Sequence, residues 1–77
     1  MQVQMSKALV CDVVQGTFNN HPYKQALIYE NGKLYRMSIK NEVMLNQVAD
    51  RIASYASITA DMTTFDGKVK FSLSNIE

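Results

Sequence analysis

Asn31-Gly32 constrains this chain more than any other feature, because it separates two strand-like runs, Tyr23–Tyr29 and Leu34–Ile39. Asn-Gly between alternating runs supplies positive φ at both central positions, the requirement of a type I′ turn, and a two-residue turn fixes the register of the strands it joins. The predicted register sets Glu30 against Lys33, Tyr29 against Leu34, Ile28 against Tyr35, Leu27 against Arg36 and Ala26 against Met37. Side chains alternate across a strand, so the ribbon sorts into two faces. Ala26, Ile28, Tyr35, Met37 and Ile39 form an apolar, core-directed face. Tyr23, Gln25, Leu27, Tyr29, Leu34, Arg36 and Ser38 form the other, with Lys24 and Lys40 flanking it.

Upstream, Met1–Val14 is largely apolar, with Ala8, Val10, Asp12 and Val14 on one side of an alternation and Leu9, Cys11 and Val13 on the other. This predicts a strand covered on both faces and broken at Gly16, followed by a loop at Asn19-Asn20-His21-Pro22. Downstream, Asn41 is placed to cap a helix from Glu42 to about Tyr55, whose Met44, Leu45, Val48, Ile52 and Tyr55 recur at helical spacing. From Ser57 the period returns to two, and Asp66-Gly67 closes a second hairpin. Its register puts Ala60, Met62 and Thr64 beside Val69, Phe71 and Leu73 on the core side, and leaves Thr63, Phe65, Lys68 and Lys70 outside or at the tip.

Residues 1–77 thus read as a single domain, mainly β, in the order strand, strand, strand, helix, strand, strand. That order predicts a small five-stranded OB-fold-like Greek-key barrel with one helix between strands 3 and 4; β-grasp and small roll folds share it. A chain this short buries only about 60% of the surface its unfolded state exposes, which favours oligomerisation. Cys11 is the only cysteine. It is expected to be a buried small hydrophobe in a reducing compartment. No run approaches the roughly 20 apolar residues of a membrane span, and the N-terminus lacks a signal-peptide pattern. The expected location is the cytoplasm.

No catalytic, metal or cofactor site is expected. His21 is the only histidine and lies in a turn, no nucleophile has a base and an orienting acid at recognisable spacing, and no second soft ligand accompanies His21. The three glycines read as turns rather than as a phosphate cradle, so no small-molecule substrate is implied. A formal net charge of +1 gives no global field for a polyanion. Local placement does better. Phe18, Tyr23, Tyr29 and Phe65 are candidate stacking platforms, and Lys24, Lys33, Arg36, Lys68 and Lys70 are candidate phosphate contacts. Each aromatic–base stack is worth about 1–3 kcal/mol, so this combination suits single-stranded nucleic acid. A rival reading is a protein-interaction module docking a partner on Leu27, Tyr29 and Leu34, which the near-neutral charge suits.

Gln15-Gly16-Thr17, then Asn20-His21-Pro22-Tyr23 and the ribbon that follows, resemble the corresponding region of the small single-stranded DNA-binding proteins of filamentous phages. Ser57-Ile58-Thr59-Ala60, Thr64-Phe65, Gly67 and the alternating Lys68–Ile76 segment are similar to that family's last hairpin. The resemblance implies an OB-fold homodimer that coats single-stranded DNA during replication without sequence preference. It implies stacking by Tyr23, and for Phe65 the place of the aromatic on the hairpin beside the dimer dyad. The chain departs from the family in two places: Asn19, Asn20 and His21 stand where more basic residues are usual, and the predicted helix is longer.

Overall fold

The computed structural model describes residues 1–77 and holds five strands and one helix: β1 (Gln2–Phe18), β2 (His21–Glu30), β3 (Lys33–Ser38), α1 (Glu42–Ala49), β4 (Tyr55–Phe65) and β5 (Lys68–Ile76). The strands close into a barrel in the order β1-β2-β3-β5-β4. Closure depends on β1, which pairs antiparallel with β4 through its first half and with β2 through its second. The β3–β5 contact is parallel and short, limited to Met37 opposite Phe71 and Ser38 opposite Ser72. This is OB-fold-like connectivity, and the return of β1 onto β4 distinguishes it from open sheets of the same element order.

The hairpin registers follow from the turns. Asn31 and Gly32 have φ of 51° and 79°, and Asp66 and Gly67 have 56° and 75°. Both are the left-handed pairs of a type I′ turn. Glu30 faces Lys33 and Ala26 faces Met37, while Phe65 faces Lys68 and Thr64 faces Val69, as the sequence predicts. The core comprises 14 buried residues, all apolar, with Ile28, Met37, Ile58, Leu73, Val10 and Val48 the largest that are fully enclosed. Tyr35 and Phe71, with ring centroids 5.1 Å apart and planes at 83°, meet edge to face where β3 and β5 come together.

Several expectations need correction, among them the core placement of Thr64 and Val69, which are exposed because they lie next to the Asp66-Gly67 tip, beyond the buried part of the hairpin. β1 runs through Gly16 to Phe18 instead of ending before it. Its alternation is interrupted at Cys11, because Val10 pairs with Ile28 while Asp12 pairs with Leu27. The inserted residue is a β-bulge, and it moves every later side chain to the other face. Val10 and Val13 therefore share the core side, Asp12 and Val14 share the outer side, and Cys11 is exposed rather than buried.

The helix is also shorter than its apolar spacing suggests. Asn41 caps it as expected, its side-chain oxygen accepting the Met44 N–H at 2.9 Å. Beyond Ala49, however, the chain is drawn to β1: the Ala53 N–H donates to Val10 O at 2.7 Å and the Val10 N–H to Ser54 O at 2.9 Å. Ala53 takes φ of 69° to make this turn. β4 accordingly begins at Tyr55, two residues earlier than expected, and Tyr55 is 70% exposed opposite Leu9 instead of packing on a helical face. The one helix is not long and apolar enough to cross a membrane.

Candidate functional site

The outer surface of β1, β2 and β3 can be mapped from the pairing. Asn19 and Asn20, with φ of 52° and 64°, make the β1–β2 connection a third tight two-residue turn. His21 and Pro22 are thereby the first residues of β2, not parts of the expected loop, and Phe18 stands opposite His21 at the ribbon's end. Gly16 stands opposite Tyr23. A Cβ on Gly16 would lie 2.6 Å from Tyr23 Oη, 2.8 Å from Cζ and 3.0 Å from Cε1. The hydroxyl end of the tyrosine ring therefore sits over Gly16, in space that only glycine leaves open.

This seating presents Tyr23, 39% exposed, beside Phe18, which is 71% exposed. Phe18, Tyr23, Gln25 and Arg36 line one shallow depression. Its composition suits a flat heterocycle with an anionic backbone: two aromatic rings for a π-face, an amide for polar edges, and a guanidinium for phosphate. The only ion pair in the structure joins Lys24 to Glu42, so Arg36, Lys68 and Lys70 have no carboxylate partner.

The remaining candidates divide. Lys70 precedes Phe71, and Arg36 precedes Met37, so the parallel register that pairs Met37 with Phe71 brings Arg36 and Lys70 into line on the outer face. Lys70 stands opposite Thr63, and Phe65 opposite Lys68, so this face continues to the exposed tip of the second hairpin, where Phe65 is 71% exposed. Tyr29 shares the outer face but lies six residues along β2 from Tyr23, roughly 20 Å at strand rise. Its neighbours there are Leu9 and Leu34, an apolar row distinct from the depression. Lys24 projects to the opposite face of the ribbon from Tyr23, where Glu42 at the start of α1 holds it.

Sequence reasoning missed Gly16 and Gln25. The signal for Gly16 was available: Asn19-Asn20 read as a two-residue turn places Gly16 against Tyr23, and a glycine facing an aromatic across a strand pair is a recurrent packing device. No family model, curated protein or solved structure matches the chain.

Proposed function

We propose that this protein binds single-stranded DNA without sequence preference, as a coating protein of phage or mobile-element type, with the strand running over the outer face of β1, β2 and β3. The observation that carries the reading is the depression in which Tyr23, seated on Gly16, stands beside Phe18, Gln25 and an ion-pair-free Arg36. Tyr23 and Phe18 stack on bases, and Arg36 and Lys70 neutralise phosphates. Phe65 and Lys68 extend the track over the second hairpin. Tyr29 is a more distant platform, and Lys24 contributes only if its ion pair opens. In small barrels of this connectivity the β2–β3 face and the β1–β2 and β4–β5 turns are the usual oligonucleotide-binding surface, which supports the same placement.

The chain has four tyrosines and no tryptophan, so tyrosine emission reports binding directly. Titration with oligothymidine at low and high salt should quench it, with affinity falling as salt rises. Absence of quenching at low salt, with Tyr23→Ala indistinguishable from the parent chain, would remove the reading. The homodimer belongs to the same proposal, supported by the exposed Phe65 and Val69 on the projecting second hairpin, and a monomeric mass in sedimentation equilibrium at micromolar concentration would remove that part alone.

The apolar row of Leu9, Tyr29 and Leu34 favours a second reading, a docking surface for another protein, since Tyr29 and Leu34 stand exposed side by side. Under that reading Leu34→Ser abolishes partner capture, and oligothymidine leaves the emission unchanged.

A further inference from the structure

Tyr23 is a wall between two depressions. On one side lies the aromatic and guanidinium surface described above. On the other lies a second concavity lined by Pro22, Tyr23, Lys24, Ser38, Ile39 and Lys40, placed where β2 begins, β3 ends and the chain turns towards α1. Its only charged side chains are the two lysines. Ser38 adds a hydroxyl, and the Ile39 N–H is already committed to Lys24 O at 2.9 Å. Two ammonium groups and a hydroxyl in a shallow, open site suit an anion that keeps part of its hydration, such as a phosphodiester.

The geometry points to this second concavity as a backbone-phosphate subsite, gated by Glu42. The inference rests on the strand-binding reading and adds a direction to it: a base stacked on Tyr23 in the first depression leaves the adjoining phosphodiester linkage to pass over Tyr23 into the second. Lys40 is free to receive it, whereas Lys24 is paired with Glu42. The Glu42 carboxylate both neutralises Lys24 and repels an incoming phosphate. Binding therefore competes with the ion pair, and the occupied site exchanges a carboxylate for a phosphate on Lys24. Glu42 is the exposed member of the pair and Lys24 is half-buried, with side-chain accessibilities of 67% and 28%, so it is the Glu42 carboxylate that water can take up when a phosphate displaces it.

The salt dependence of oligothymidine affinity separates the roles, because each phosphate contact on a single strand adds about 0.7 to the slope of log K against log[salt]. Lys40→Ala should lower that slope by about one contact, and Glu42→Gln, which frees Lys24, should raise it and tighten binding at low salt by a few fold. Tyr23→Ala should weaken binding with the slope unchanged, since a stack carries no charge. All three positions are solvent-accessible, and thermal melts establish that each variant is folded. If the parent chain binds but Lys40→Ala and Glu42→Gln leave slope and affinity unaltered, the phosphate subsite is refuted while the strand-binding reading stands. If the parent chain does not bind oligothymidine, both fall together.

Discussion

Replacing Gly16 by alanine separates binding from stability in a way that only the Tyr23 seating explains. The added Cβ would lie 2.6 Å from Tyr23 Oη and 2.8 Å from Cζ, closer than any real contact, so one of the two groups must move. The backbone of β1 is held by pairing on both sides of Gly16, at Gln15 opposite Lys24 and Thr17 opposite Pro22. The ring is the distal end of a flexible side chain at the surface, so the ring moves. Pushing it about 30° off its rotamer costs about 0.5–1.5 kcal/mol. The loss of glycine's freedom in the unfolded chain returns about 0.4–1 kcal/mol, since the φ of Gly16 is not in the left-handed region. The two nearly cancel, and the urea midpoint should stay close to that of the parent protein. Binding has no such compensation. A displaced ring forfeits the stack, about 1–3 kcal/mol, which is roughly a 5- to 150-fold weaker Kd for oligothymidine. Urea denaturation and a fluorescence titration on the same preparation give both numbers. A variant that binds as tightly as the parent, or one destabilised by more than about 2 kcal/mol, would show that Gly16 serves the backbone and not the tyrosine.

Three further outcomes test the fold around the site. Asn41→Ala removes the acceptor for the Met44 N–H and should cost about 0.5–2 kcal/mol in chemical denaturation, with oligothymidine affinity little changed. Ile28→Ala opens a cavity in a fully enclosed position and should cost about 2–5 kcal/mol, enough to leave a domain with a core this small partly unfolded at room temperature by circular dichroism. Cys11 should react with a thiol reagent in the native state as readily as in urea, and protection in the native state would place it inside after all.

How much of this was legible follows from where local rules operate alone. The Asn31-Gly32 and Asp66-Gly67 turns dictate their own φ values, and the strands they join have no freedom to slip, so both registers could be read directly, although Thr64 and Val69 stand exposed near the second turn instead of on the core. The N-cap at Asn41 is equally local. Cys11 was misread because a bulge is a cooperative property of β1 with its partner β2, and nothing in Val10-Cys11-Asp12 announces which residue is left unpaired. Tyr55 was misread because helical spacing in Ile52 and Tyr55 competes with backbone hydrogen bonds from Val10, more than 40 residues upstream, and the latter win. At the site, Tyr23, Phe18 and Arg36 were identified by residue type, whereas Tyr29 was grouped with them because it shares their face and Lys24 because it flanks that face. Strand alternation sends Lys24 to Glu42, and strand rise carries Tyr29 to the row of Leu9 and Leu34.

The most direct test of the central claim is the backbone and side-chain NMR spectrum of the protein titrated with oligothymidine at low salt. The account predicts that shift changes concentrate on Phe18, Tyr23, Gln25 and Arg36 and spread towards Lys70 and Phe65, while Ile52 and Tyr55, exposed away from the depression, do not move. An unchanged spectrum, or changes confined to the row of Leu9, Tyr29 and Leu34, would contradict it.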